Sequence, residues 1–454
     1  MKVILKIPRS LYVRAIEDLS RPHSFALERV GFFSTKRTLT NAVLLVHCVD
    51  YHAVADDHYV RDDSVGVRIG SEAIRIAMGR SLSGSVGQIH VHSHGGVGLP
   101  TPSSTDRKEL PGVVRSLQNA NADAIHGWMV FSRDDAWASL SSRGILIADT
   151  PPTSIVGFPT RSNQRNTSAL TSRKKKWFSG FLRSREETNR YQRQSFLGKK
   201  SEAIIAQTVI GIVGLGGGGS HVAQQLAHLG FRRFVLCDHD RISGTNLNRL
   251  VGATQSDVRQ KLLKTDIIRR NIKRLHRGAN IVKRSCKWED AINDLLHCDL
   301  IVGCVDSFSG RRDLEAFCRR NLIPLIDVGM DIHEHDGKFE INGQVILSMP
   351  GEVCMHCTGF LNEKVLALEA QNYGAASGNP QVVWSNGLLC SAAVGIIVDL
   401  VTDWSAQCRH PIYQNFIGSQ LSLIPDKRLS SFPPGHVCRH YPLKEAGDPT
   451  FHLL

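Results

Sequence analysis

Residues 208–219 read TVIGIVGLGGGG, an apolar run that ends in a cluster of glycines. Helically spaced apolar residues follow at 222–230, and the apolar stretch 233–237 comes next. A strand, a glycine-rich turn, a helix and a second strand in this order form the βαβ unit of a doubly wound sheet. A Rossmann-like α/β domain is therefore predicted over residues 188–443. Its further elements are predicted as helices at 261–275 and 310–320 and strands at 300–305 and 324–328.

The glycine-rich turn indicates a bound nucleotide, because glycines let the backbone amides at a helix N-terminus approach a phosphate closely. Asp238 follows about 20 residues later, where an acid can hydrogen-bond a ribose hydroxyl, and Asp240 lies beside it. These features alone fit NAD as well as ATP. The candidate glycines are Gly214, Gly216, Gly217 and Gly219.

Several basic and amide side chains favour ATP over NAD. Arginine and lysine neutralise a triphosphate and stabilise the charge that develops when it reacts, whereas hydride transfer has no need of so many cations. Asp306 follows the predicted strand at 300–305, at the crevice where it could hold Mg²⁺. The other candidates are Arg193, Asn246, Asn248, Arg249 and Lys264.

These motifs, in this order, resemble the ThiF/MoeB/HesA family, the prokaryotic relatives of ubiquitin-activating enzymes, over residues 187–443. The resemblance implies ATP- and Mg²⁺-dependent adenylation of a C-terminal carboxylate on a ubiquitin-like or sulfur-carrier protein, or on a peptide. It also implies a homodimer in which Arg193 reaches ATP across the interface. The family's lysine usually follows Asp-Val-Gly closely, and here Lys261 lies close after Asp257-Val258-Arg259. Lys261 is therefore an alternative to Lys264, which the helix pattern favours.

Cys354 and Cys357 form the tightly spaced pair among the eleven cysteines. The pair resembles the first half of the same family's structural zinc site, and tetrahedral zinc needs four ligands. Cys438 and His440 would complete a Cys₃His site, with His436 as the alternative histidine. Two metal-free cysteines near a turn are the other interpretation.

The nucleophilic cysteine of thioester-forming family members lies in the loop after the first zinc pair. Residues 358–380 contain no cysteine, and Cys390 falls in the apolar helical run 388–401, where it is expected to be buried. The sequence leaves open whether the acyl group stays on the adenylate, or passes to another cysteine or to a downstream conjugating enzyme.

A second chemical pattern lies near the N-terminus. His92 and His94 alternate along a predicted strand, so their imidazoles lie on the same face. Asp106 can complete a three-ligand zinc site that leaves one position for water. Glu28, just before another apolar strand, is the candidate general base, and Ser103 is near enough to donate to an oxyanion.

This second pattern resembles the JAMM (JAB/MPN-type) metalloprotease domain over residues 1–150. It implies a zinc isopeptidase of α/β fold, assigned here to residues 1–155. The eight-residue spacer between His94 and Ser103 is longer than usual for the family, and Gly95 replaces the common proline. The apolar runs 43–46, 88–92 and 144–148 predict strands, and the spacing over 70–81 predicts a helix.

Composition limits the remaining possibilities. The 454 residues carry a net charge of +13, but residues 161–200 hold twelve Lys/Arg against two Glu. The excess charge therefore belongs mainly to a flexible basic linker, placed at 156–187, and no nucleic-acid partner is expected. No transmembrane run or signal peptide is apparent, so a cytoplasmic protein is expected, with residues 444–454 as a C-terminal tail.

Together the two patterns predict a bifunctional enzyme of a prokaryotic ubiquitin-like pathway. One domain would process a precursor or remove the modifier, and the other would adenylate its carboxyl terminus. Tailoring of a peptide or sulfur carrier in cofactor or antibiotic biosynthesis is the alternative enzyme function. An inactive binding scaffold is the alternative outside enzymes, and an NAD oxidoreductase fits least well.

Overall fold

The computed structural model describes residues 2–40, 43–84, 86–133, 135–151, 153–156, 190–198, 200–371, 380–402, 404–405, 412–433 and 435–447. These residues divide into two compact units. The first holds the residues up to 156 together with 320–322 and 442–447, and the second holds 190–319 and 323–441. The predicted linker lies almost entirely outside the described residues. Leu443 packs against the core of the first unit, although the sequence placed it at the end of the second domain.

The first unit is built on an eight-stranded mixed sheet, in the order β7-β6-β5-β4-β2-β3-β1-β8. The predicted strands at 43–46, 88–92 and 144–148 and the predicted helix at 70–81 are all present, each shifted or extended by a few residues. The elements are β1 (Lys2–Pro8), α1 (Arg9–Leu19), β2 (Val30–Leu39), β3 (Val43–Ala53), α2 (Ser71–Gly84), β4 (Gly87–Ser93), α3 (Ser104–Ala120), β5 (His126–Phe131), β6 (Ala136–Ser142), β7 (Ile145–Asp149) and β8 (Thr153–Val156).

Strand pairing in the first unit fixes which residues meet at one end of the sheet. β2 runs antiparallel to β4, with Val30 opposite His92. The residues just before β2 therefore lie beside the residues that end β4. Helix α3 begins after the loop that follows β4, so its first turn is close to the same end of the sheet.

The second unit contains the predicted Rossmann-like sheet. Its elements are α4 (Ser201–Gln207), β9 (Val209–Val213), α5 (Gly217–Leu229), β10 (Arg233–Cys237), α6 (Gln255–Arg259), α7 (Lys264–Leu275), β11 (Asn280–Arg284), α8 (Ile292–Leu295), β12 (Leu300–Gly303), α9 (Phe308–Arg320), β13 (Leu325–His335), β14 (Lys338–Ser348), α10 (Glu363–Gln371), α11 (Val383–Val401), β15 (Ile412–Ile417) and β16 (Ser422–Pro425).

The strand order of this sheet is β11-β10-β9-β12-β13-β14-β15-β16. The first five strands are parallel, and the last three extend the sheet by antiparallel pairing. Chain order reverses between β9 and β12, which are neighbours. In such sheets the ligand crevice lies at this switch point, beyond the carboxyl ends of the strands.

Helix α7 and strand β13 are two elements whose limits in the structure differ from the prediction. Helix α7 begins at Lys264 rather than at 261, because Lys261 has a φ of +50° in the turn that follows α6. Strand β13 continues to His335, seven residues beyond the predicted end, because it pairs with β14 along its whole length. That pairing is a tertiary contact, which the local apolar pattern does not show.

Helix α11 corrects the expectation that no segment could cross a membrane. Residues Val383–Val401 are long and apolar enough to do so by length and composition. More than half of this helix is buried inside the protein, where it packs against α5, β13 and β14. Its packing is that of a core helix of the second unit.

Candidate functional site

The glycine-rich turn connects β9 to α5 through a very close backbone packing. Gly214 has a φ of +84°, and a Cβ there would lie 2.3 Å from the carbonyl oxygen of Cys304. A Cβ on Gly219 would lie 2.0 Å from the Gly214 carbonyl oxygen. Gly216 precedes the first residue of α5 and has open space where a side chain would be. The amides at the start of α5 are therefore open to an anion such as a phosphate.

Asp238 fixes this turn to the neighbouring strand. The carboxylate of Asp238 accepts hydrogen bonds from the amide of Leu215 at 2.7 Å and from the amide of Asp240 at 2.8 Å. Burial raises the pKa of Asp238. Each carboxylate oxygen has a further lone pair, so this residue can still accept a hydrogen bond from a ribose hydroxyl.

Lys264 is the lysine that the structure places in the crevice. The Lys264 Nζ lies 2.6 Å from Asp240 Oδ2 and 3.9 Å from Asp238 Oδ2. Burial raises the pKa of Asp240, but the hydrogen bond from Lys264 outweighs it and leaves the pKa below its usual value. Lys261 is exposed and does not line the crevice.

The residues after β10 divide into one crevice residue and two supporting residues. Arg249 lines the crevice, and its guanidinium donates to the Thr245 carbonyl at 2.7 Å. Asn246 does not line it, since its side chain accepts from the amide of Ser243 at 3.0 Å and caps a short helical turn. Asn248 is exposed and donates to a backbone carbonyl at 3.2 Å. The two asparagines therefore shape the loop rather than the crevice.

Asp306 stands in the crevice beyond the end of β12. It is exposed and has no hydrogen-bond or ion-pair partner among the described residues. The crevice has a volume of about 320 Å³. An exposed carboxylate in the same crevice as a glycine-rich helix N-terminus has the chemistry of a Mg²⁺ ligand. The predicted residues that line the crevice are Gly214, Gly216, Gly217, Asp238, Asp240, Arg249, Lys264 and Asp306.

Arg193 is not brought into this site. It lies in a short 3₁₀ helix, Gln192–Leu197, where its side chain is exposed, and it does not line the crevice.

Arg311 also lines the crevice, and the sequence interpretation missed it. It lies in the first turn of α9, five residues after Asp306, and its guanidinium is paired with the buried Asp327. Gln344 also donates to the carboxylate of Asp327, at 3.3 Å. Its position in the sequence could have identified it, because a residue in the first turn of a helix after a switch-point strand faces the same crevice as the strand end.

A separate cluster of Cys354, Cys357, Cys438 and His440 lies in the second unit, with ligand atoms all within 4.8 Å of one another. The Sγ atoms of Cys357 and Cys438 are 3.7 Å apart, and Cys357 Sγ is 3.3 Å from His440 Nδ1. Tetrahedral ligands at the usual zinc–sulfur distance are about 3.8 Å apart. The four residues therefore fit a zinc ion, and His440 rather than His436 completes the set.

In the first unit, His92, His94 and Asp106 converge. The two Nε2 atoms are 3.2 Å apart, and they lie 3.2 Å and 3.4 Å from the carboxylate oxygens of Asp106. Tetrahedral zinc with nitrogen and oxygen ligands sets these atoms about 3.3–3.4 Å apart. The triangle therefore fits zinc, although His92 Nδ1 is buried with no hydrogen-bond partner in the described part of the chain.

Glu28 and Ser103 flank this triangle in different ways. Glu28 Oε1 lies 3.9 Å from His94 Nε2, beside the ligands but farther away than Asp106. Ser103 caps helix α3: its Oγ accepts from the amide of Asp106 at 3.0 Å, and its own amide donates to the Asp106 carboxylate at 2.7 Å. Burial raises the pKa of Asp106, but hydrogen bonds from His92 and Ser103 outweigh it and keep the pKa below its usual value.

Comparison with known proteins assigns the second unit to a family. The model of the ThiF family matches residues 189–417, half of the chain. A doubly wound sheet with a glycine-rich turn at its switch point agrees with that match. The chain belongs to the ThiF family. The match does not extend to residues 1–188.

Three curated relatives match shorter segments. Escherichia coli tRNA threonylcarbamoyladenosine dehydratase is 30% identical over 135 residues, 29% of this chain and 50% of the relative. Haemophilus influenzae molybdopterin-synthase adenylyltransferase is 31% identical over 149 residues, 32% of this chain and 60% of the relative. Aedes aegypti ubiquitin-like modifier-activating enzyme 5 is 26% identical over 167 residues, 34% of this chain and 40% of the relative. The chain thus spans about half the length of the curated relatives it matches.

Replacing Cys354 with serine should remove one zinc ion per chain and lower the melting temperature, because structural zinc contributes to folding free energy. Zinc content is measured by plasma mass spectrometry and stability by thermal unfolding. Cys286→Ser, at a half-exposed cysteine outside the cluster, is the control and should keep its zinc. Full zinc content in Cys354→Ser would contradict the assignment.

A second zinc ion should depend on His92. His92→Ala is expected to lose it, because only two ligands of the triangle remain, whereas Glu28→Gln should retain it. His58→Ala, which changes a histidine outside the triangle, is the matched control. Equal metal content in His92→Ala and wild type would show that the triangle binds no metal.

Proposed function

We propose that the second unit adenylates the C-terminal carboxylate of a small protein or peptide, using ATP and Mg²⁺. Membership of the ThiF family supports the reaction class. The main support is the crevice itself, which combines an open helix N-terminus, the Lys264–Asp240 pair and the carboxylate of Asp306, unpaired among the described residues. The names of two relatives, an adenylyltransferase and a modifier-activating enzyme, also support it.

Each crevice residue would have its own role in adenylation. The amides at the start of α5 hold phosphate oxygens, and Asp238 holds the ribose. Arg249 and Lys264 offset the negative charge of the triphosphate, and Asp306 would hold Mg²⁺. A carboxylate oxygen of the substrate attacks the α-phosphorus of ATP, the bond to the β-phosphate breaks, and pyrophosphate leaves with the electron pair. The product is an acyl-AMP, a much better acylating agent than the free carboxylate.

The proposed substrate is a ubiquitin-like or sulfur-carrier protein with a free carboxyl terminus. We further propose a homodimer, because Arg193 is exposed and does not line the crevice of its own chain, and in a dimer it could act on the partner's ATP. A downstream conjugating enzyme would accept the acyl group. We also propose a cytoplasmic location, because none of the ten described cysteines forms a disulfide.

Peptide or sulfur-carrier tailoring for biosynthesis is the alternative, favoured by the lack of a cysteine in residues 358–380. A modified free peptide in cells would support tailoring, and conjugates on cellular lysines would support protein modification. A chain that binds neither ATP nor zinc would instead be a scaffold.

Asp306→Ala should lower ATP–pyrophosphate exchange by at least about 100-fold, because the variant loses the proposed ligand of the Mg²⁺ that offsets negative charge in the transition state. The assay uses purified protein with small β-grasp proteins that end in Gly-Gly. Asp313→Ala, which changes an exposed acid of α9 that pairs with Arg312, should exchange normally. Exchange that is independent of any carrier, or is unchanged in Asp306→Ala, would contradict the proposed reaction.

We also propose that the first unit is a zinc-dependent peptidase or isopeptidase of the JAMM type. The observation that favours it is the triangle of His92, His94 and Asp106 with Glu28 beside it. Zinc bound there would acidify a water molecule and polarise a carbonyl group. Glu28 would take a proton from water and pass it to the leaving amine, and the hydroxyl of Ser103 could donate to the carbonyl oxygen as negative charge develops.

Joining the two activities in one chain is chemically reasonable if both act on the same small protein. Hydrolysis would expose or recover the carboxyl terminus, and adenylation would activate it. Covalent linkage raises the effective concentration of one site for the product of the other.

Glu28→Gln should slow cleavage of a carrier that bears a C-terminal extension by about 10²- to 10⁴-fold, since the general base is lost. Cleavage is followed by mass spectrometry. Glu72→Gln, at an exposed acid paired with Arg75, is the control. Cleavage by Glu28→Gln at the wild-type rate, or cleavage that survives removal of zinc, would exclude this mechanism.

A further inference from the structure

We propose that Arg311 binds the substrate carboxylate that is to be adenylated. Arg311 would thereby select a substrate with a free carboxyl terminus. This inference rests on the proposed adenylation. It concerns a residue that lines the crevice but belongs to none of the nucleotide-binding motifs.

Strand order divides the crevice into two halves. The glycine-rich turn follows β9 and the ribose-binding Asp238 follows β10, so the nucleotide occupies the side of β9 and β10. Asp306 follows β12, which lies between β9 and β13. A carboxylate that attacks the α-phosphorus at this point must approach from the side of β12 and β13. Arg311 and Gly329 line that side.

Arg311 has donors available for a ligand. Its residue surface is only 8% exposed, and its guanidinium contacts Asp327 through one nitrogen. Among the described residues Asp327 is the hydrogen-bond partner of Arg311, and no nitrogen of Arg311 is both buried and unpaired. The remaining N–H groups are therefore open to the crevice. A guanidinium with free N–H groups binds a carboxylate in a two-point geometry that lysine cannot reproduce.

The surroundings hold Arg311 in this orientation. Asp327 is 1% exposed and accepts hydrogen bonds from Arg311 and from Gln344, which prevents the guanidinium from turning away. Gly329 leaves room for it, since a Cβ there would lie 2.6 Å from Arg311 Nη2. An oriented donor costs less entropy on binding than a mobile surface arginine.

Removal of the whole side chain would leave Asp327 buried and unpaired, so Arg311→Lys is the informative variant. Lysine keeps the positive charge near Asp327 but loses the planar fork. Its melting temperature should stay close to that of the wild type. Arg312→Ala, at the adjacent and more exposed arginine, is the matched control.

The experiment measures calorimetric binding of two probes, AMP and a Gly-Gly acyl-sulfamoyl adenosine that mimics the acyl-AMP. The wild type and Arg312→Ala should bind the acyl analogue more tightly than AMP. Arg311→Lys should bind the acyl analogue about 10- to 100-fold more weakly, which corresponds to loss of hydrogen bonds to the acyl oxygen, with unchanged AMP affinity.

Equal losses for both probes, or no loss for either, would overturn the role of Arg311 while leaving the proposed adenylation intact. A wild type that binds AMP but gains nothing from the acyl group would overturn it as well. Failure of the wild type to bind either probe would overturn the proposed function and this inference together.

Discussion

The hydrogen bond from the Leu215 amide to the buried carboxylate of Asp238 is the contact on which the crevice of the second unit depends. It ties the turn after β9 to the end of β10. This turn also determines where α5 begins and how closely Gly214 packs on Cys304. Because Asp238 also accepts from the Asp240 amide, it positions the carboxylate that pairs with Lys264. One buried acid thus organises the turn, the helix N-terminus and the lysine.

The candidate zinc sites depend on the same kind of constraint, in which backbone geometry fixes the ligands before a metal binds. In the first unit, the antiparallel register of β2 and β4 brings Glu28 beside the two histidines. Reciprocal hydrogen bonds between Ser103 and Asp106 at the start of α3 hold the third ligand. A carboxylate already held in place loses little conformational freedom when it binds a cation. The structure shows Ser103 as the cap of this helix, and its role as an oxyanion donor stays a prediction.

Much of the second unit was predictable from local patterns, but contacts between distant segments were not. The strand before Gly214 and the helix after it follow from apolar periodicity and glycine, which act within a few residues. The extension of β13 depends on pairing with β14, and the choice of Lys264 over Lys261 as crevice residue depends on where α7 begins. Arg311 was missed for a related reason: its partner Asp327 lies 16 residues away, on another strand.

The sequence by itself determined which chemical groups this chain carries: a glycine-rich turn, acidic and basic side chains after it, and two sets of candidate metal ligands. These follow from residue type and short spacing, because the donor atoms and backbone freedom of each side chain are local properties. Tertiary structure alone decided which of them meet. Arg193, Asn246 and Asn248 do not line the crevice, whereas Arg311 does. His440 lies with the three cysteines of the cluster. Distances between distant segments depend on strand order, register and packing, which local sequence does not encode.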